Sequence, residues 1–108
     1  AGLLMAQFDV YHNANPRTRV DIPYLLDIQN NLLHDLDTRV VVPMFRQGSS
    51  ALSFTRLTPE IAFSGERYIL MMPMLAGVSR KELGSSCGDL AQYRSQILAA
   101  WDLLLTGF

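Results

Sequence analysis

Cysteine is nearly absent from this 108-residue chain, where Cys87 stands alone. One thiol closes no intrachain disulfide and builds no cysteine-rich metal site. Histidine is scarce too, with His12 and His34 the two present. No HExxH, P-loop or GxGxxG pattern occurs, so the common metal-hydrolase, nucleotide and dinucleotide signatures are missing. No apolar run reaches the roughly eighteen residues that a membrane helix needs, and no signal peptide with a charged n-region leads the chain. A basic excess is also lacking. Nine Lys and Arg against ten Asp and Glu give a net charge of −1. That balance argues against a nucleic-acid-binding surface, although it is compatible with a local basic patch. The expectation is a soluble, cytoplasmic protein with no membrane, no direct nucleic-acid partner, no metal and no cofactor.

What remains is apolar and ordered: 49% of the residues are hydrophobic and 18% charged. Such a chain is globular, and its length allows one domain with one modest core. Ala1-Gly2-Leu3-Leu4 ahead of Met5 reads as an expression remnant, leaving residues 6–108 as a single domain without internal repeats.

The C-terminal stretch Leu90 to Phe108 carries the strongest pattern. Leu90, Tyr93, Ile97, Trp101 and Leu104 recur at helical spacing and form one apolar stripe. Asp89 is placed to cap the first turn, with Gln92 completing something close to a capping box, and Gly107 suits a terminator. Leu98, Leu103 and Leu105 lie off the stripe, and between Ile97 and Leu105 Asp102 alone is charged. A helix apolar on nearly all sides is buried on more than one side. In a chain this short the second burial is read as a second copy of the chain, with Trp101 and Leu104 in a homodimer interface.

The rest reads as short strands. Gln7 to Tyr11 alternates polar and apolar residues, His12 to Thr18 is a loop, and Tyr24 to Ile28 is a second strand. Gln29 to Leu33 turns away. Arg39-Val40-Val41-Val42 is the strongest β signal, and Pro43 is expected to stop it. Gln47 to Ser53 is a small-residue loop, and Phe54 to Leu57 adds a further strand. Glu60 to Phe63 and Glu66 to Met72 pair through a Ser64-Gly65 hairpin turn. Leu75 to Val78 is extended, and Arg80 to Leu83 leads into a Gly- and Ser-rich approach to the helix. The pattern predicts a mainly β small barrel or twisted sheet with a C-terminal helix.

Candidate chemistry is thin. His34 beside Asp35 and Asp37 could be half of an acid–base pair, but no nucleophile motif accompanies it, so a solvated turn is the preferred reading. Ser85-Ser86-Cys87 has no base beside it in the sequence. Arg17, Arg19, Arg39, Arg56 and Arg67 could converge on phosphate, yet along alternating strands they read as solvated faces. Met71, Met72 and Met74 could form an adaptable binding surface, with core filling as the default.

Gln7-Phe8-x-Val10-Tyr11, Leu26-Asp27-Ile28-Gln29 with Leu32-Leu33, and Arg39-Val40-Val41-Val42-Pro43 together resemble the CcdB family of toxins. The Pro59-to-Met72 hairpin, the Val78-to-Gly84 segment and a helix ending in Gly107 before a large apolar residue extend the likeness over almost the whole chain. The resemblance implies a homodimeric SH3-like barrel acting as a toxin of a toxin–antitoxin system. Such toxins bind the A subunit of DNA gyrase, trap its cleaved-DNA complex and are not enzymes. A cognate antitoxin with a disordered C-terminal segment neutralises them. The gyrase contacts carry over to Leu32, Leu33, Asp102, Leu105, Thr106, Gly107 and Phe108. Antitoxin contacts are expected around Tyr11, Arg17 and Arg19, and in the Gln47-to-Ser53 loop. Some relatives carry Trp at the position of Thr106 and an uncharged amide at that of Asp102, so the large aromatic stacking group they have at that position is missing here. The competing readings are an inactive relative and a MazF-like ribonuclease toxin of the same fold, with Arg19 or Arg39 beside Thr38 as its catalytic group.

Overall fold

The computed structural model describes residues 6–30, 36–48 and 56–107. Within them, seven strands form one antiparallel sheet that curls into a half-barrel, followed by a helix. The strands are β1 (Asp9–Asn13), β2 (Tyr24–Asp27), β3 (Thr38–Arg46), β4 (Glu60–Phe63), β5 (Glu66–Leu70), β6 (Ala76–Ser79) and β7 (Leu83–Asp89). Helix α1 is Arg94–Thr106. The sheet order is β4-β5-β3-β2-β1-β7, with β6 also paired to β3.

Register explains the core. Val10 faces Leu26 across β1 and β2, and Leu26 faces Val42 across β2 and β3. Tyr24, Met44 and Leu70 make a second row across β2, β3 and β5. Side chains in one row share a face, so strand alternation delivers these residues to a single interior. Phe8, Ile61, Tyr68, Met72, Leu90, Ile97 and Ala100 complete the cluster. The hairpin turn forms as its residues demand. Ser64 and Gly65 both have positive φ, +53° and +81°, the signature of a two-residue turn whose twist matches the strands.

β3 is the spine, and it corrects the expectation that Pro43 ends a strand. The strand runs through Pro43 to Arg46. On one edge it pairs β2. The other edge is divided between β6, opposite Thr38 to Val41, and β5, opposite Met44 to Arg46. Pro43 falls at the step between them, where its carbonyl still accepts from Met71 N–H at 3.0 Å. A strand residue aims N–H and C=O at the same edge, so the missing donor faces Met71, whose carbonyl accepts from Met74 N–H at 2.9 Å instead.

Other boundaries shift as well. Gln7 and Phe8 precede β1, which extends through His12 and Asn13 instead. Ile28 falls just beyond β2, and Met71 beyond β5. Arg56 and Leu57 lie in a turn, while Phe54, Thr55 and residues 49–53 of the expected loop fall outside the described residues. The Gly- and Ser-rich approach to the helix is strand β7, paired with β1 through two register shifts. Its side chains from Ser85 to Asp89 are exposed, so backbone pairing holds it with little help from side-chain burial.

The curl brings the sheet's outer strands together. A Cβ on Gly88 of β7 would stand 2.9 Å from Cε1 of Phe63 on β4. The Phe63 ring meets Tyr24 edge-on at 5.1 Å between centroids, and Tyr24 meets Tyr68 at 5.4 Å. Such edge-to-face pairs are favourable beyond their burial. The edge of β4 is capped by the helix approach, since Ala62 N–H donates to the Tyr93 hydroxyl at 3.0 Å.

The helix starts later than its apolar stripe. A 3₁₀ turn, Ala91–Tyr93, comes first, and Asp89 Oδ1 accepts from Ala91 N–H at 2.9 Å. Asp89 therefore caps the approach turn, and the α-helix itself has Tyr93 at its N-cap with no side-chain cap. At the other end Gly107 adopts the left-handed conformation, φ +79°, and donates to Leu103 C=O at 2.9 Å. That terminator matches the expectation.

Candidate functional site

Helix α1 has two adjoining apolar faces. Tyr93, Ile97, Ala100 and Leu104 recur at helical spacing, and Ile97 and Ala100 are fully enclosed by the sheet. Leu98, Trp101 and Leu105 form the second face, one step around the helix. Leu98 and Trp101 are half-buried, and Leu105 is 61% exposed. Beside this face a cavity of about 290 Å³ opens between the helix and the ends of β1 and β2. Phe8, Ile28, Val40, Met72, Ile97, Leu98 and Trp101 supply its apolar walls.

The expected gyrase contacts divide accordingly. Asp102, Leu105 and Thr106 are all exposed, and their i, i+3, i+4 spacing puts them on one surface of the last helical turns. Thr106 Oγ1 donates to the Asp102 carbonyl at 2.7 Å, so its hydroxyl proton is already engaged within the helix. Gly107 follows in its left-handed turn. Leu32, Leu33 and Phe108 lie outside the described residues. Of the expected interface pair, Trp101 and Leu104 are both half-buried on the single chain.

The expected antitoxin contacts separate. Arg17 and Arg19 are exposed in the turn between β1 and β2. Asparagines order that turn: Asn13 Nδ2 donates to Thr18 Oγ1 and to Ile22 C=O, both at 2.9 Å, and Asn15 Oδ1 accepts from Arg17 N–H at 2.9 Å. Tyr11 is 4% exposed and lies inside the sheet, its hydroxyl 3.4 Å from Asp9 Oδ2. Burial, reinforced by the charges of Asp9 and Asp27, pushes the Tyr11 pKa up to about 12. The β1–β2 hairpin sets the two regions apart. The helix approach joins its open end, where Leu90 N–H donates to Phe8 C=O at 2.9 Å, while the arginines sit at its turn.

Beneath these surfaces lies a buried ion pair that sequence reasoning missed. Arg39 and Asp27 are both 0% exposed. Arg39 reaches Asp27 Oδ2 with Nε at 2.8 Å and Nη2 at 2.7 Å. Asp27 Oδ1 accepts from Gln29 N–H at 2.9 Å. Burial pushes the Asp27 carboxyl up from its ordinary value, and the Gln29 and Arg39 hydrogen bonds pull it back. The solvated face expected for Arg39 is thus corrected: Asp27 stands opposite Val41, and Arg39 is one strand repeat further along the same face. An arginine so enclosed is out of reach of an RNA backbone, which counts against its casting as a ribonuclease group. The signal available was alternation, since Arg39, Val41 and Pro43 share one face of a strand buried on both sides.

Nucleophile chemistry finds little support. Cys87 Sγ lies 3.4 Å from the Val10 carbonyl, and although the residue is exposed, burial of the sulfur pushes its thiol up, away from the reactive thiolate. Among the described residues, no three His, Cys, Asp or Glu side chains group to hold a metal ion. No helix there is long and apolar enough to cross a membrane. His34 and Asp35 lie outside the described residues.

Two comparisons with known proteins bear on this arrangement. A family model described as CcdB protein matches residues 7–107 of the chain. No curated protein matches.

Proposed function

The chain belongs to the CcdB family, and from that we propose that it is the toxin of a toxin–antitoxin pair, a poison of DNA gyrase and not an enzyme. It binds the A subunit of gyrase through Leu32, Leu33, Asp102, Leu105, Thr106, Gly107 and Phe108, and traps the cleaved-DNA complex in the cytoplasm. The observation that carries the reading is the exposed group of Asp102, Leu105 and Thr106 ahead of the left-handed Gly107. Leu105 is among the most exposed large apolar residues described, and an apolar side chain held out on a rigid helix is a ready anchor for a partner. Asp102 supports the same view. No basic residue occupies the last turn, and the helix dipole makes that end negative, so an acid there is unfavourable for the helix itself. Its charge is available to a basic group on gyrase.

The toxin acts as a homodimer, with Trp101 and Leu104 in the interface. A cognate antitoxin covers it with a disordered C-terminal segment, whose acidic residues meet Arg17 and Arg19, whereas Tyr11, 4% exposed, is enclosed by the chain itself and drops out of that contact set. The ordering entropy of that segment is offset by the contacts made on binding.

Deleting residues 106–108 tests the gyrase site. The shortened protein should keep its melting temperature within a few degrees and its hold on the antitoxin, but lose gyrase binding and growth arrest. Induced expression of the full chain in a sensitive bacterium should produce gyrase-dependent DNA breaks. A fall in melting point of about ten degrees or more on deletion would correspond to one or more kcal/mol of lost packing, and would make the tail a structural element instead.

A further inference from the structure

We draw no further inference here: the strongest candidate, the apolar cavity of about 290 Å³ between helix α1 and the ends of β1 and β2, adjoins the Trp101 surface already assigned to the dimer, and nothing in the structure shows what else would cover it.

Discussion

Replacing Asp27 with asparagine should cost this protein about 3–5 kcal/mol of folding stability, the usual penalty for stranding one partner of a buried ion pair. The substitution keeps the side chain's shape and its acceptor for Gln29 N–H, and removes the negative charge facing Arg39. Both residues are 0% exposed and their atoms meet at 2.7 Å. For unit charges roughly 4 Å apart, an effective dielectric of about 20 gives an attraction of about 4 kcal/mol. Arginine stays protonated in proteins, so Arg39 cannot relieve the imbalance by losing its charge. Its Nη1 already makes no hydrogen bond among the described residues, and Asp27→Asn would leave Nε and Nη2 facing an amide. Against a total of about 5–15 kcal/mol for a domain of this size, such a loss leaves the fold marginal. Urea denaturation of Asp27→Asn, Arg39→Met and the double variant Asp27→Leu/Arg39→Met gives the measurement. Each single change should lower the midpoint sharply, and the double variant should be the most stable of the three, because it strands the Gln29 N–H but no buried charge. A cost below about 1 kcal/mol for Asp27→Asn would refute the reasoning and mean that water reaches the pair. The outcome matters beyond stability. Asp27 C=O accepts from Phe8 N–H, and Phe8 C=O accepts from Leu90 N–H, so this end of β2 also seats the approach to the helix.

Gly88→Ala should cost about 1–3 kcal/mol, because a Cβ there meets Phe63 at 2.9 Å on a backbone with φ of +147°; an unchanged thermal midpoint would mean that the Phe63 ring is free to move aside. Tyr11 and Tyr68 are both pushed up to about 12, each mainly by burial. The folded state then keeps protons that the unfolded state gives up above about pH 10, so this contribution is intact below that pH and lost toward about pH 12. The slope is roughly 1.4 kcal/mol per pH unit for each tyrosine, and alkaline denaturation of wild type beside Tyr11→Phe/Tyr68→Phe reads it, with equal slopes contradicting the assignment. Trp101→Asp should convert a dimer at micromolar concentration into monomer, as sedimentation would show, since a charge in an apolar interface is left uncompensated; a wild-type chain that sediments as a stable monomer would remove the interface from the reading.

Local chemistry alone made the helix, its terminator and one hairpin legible. The helical period from Tyr93 to Leu104, the left-handed preference of Gly107 and the positive-φ demand of Ser64-Gly65 all act within a few residues, so no distant partner is needed to read them. Asp102, Leu105 and Thr106 are singled out by the family resemblance, and helix geometry then sets the three on one surface. Tertiary structure decided the rest. Leu83 to Asp89 has no apolar alternation, and becomes β7 because β1 offers a backbone ladder that no side-chain pattern announces. Pro43 sits inside β3 because β5 and β6 part at that point. Tyr11 and Arg39 read as surface residues along the chain, and are buried because β2 sets Leu25 beside Tyr11 and Asp27 within reach of Arg39. A residue's own neighbours can specify its turn or its helix face, but whether a charge is solvated depends on which strand lies across from it, and register is a property of the folded sheet.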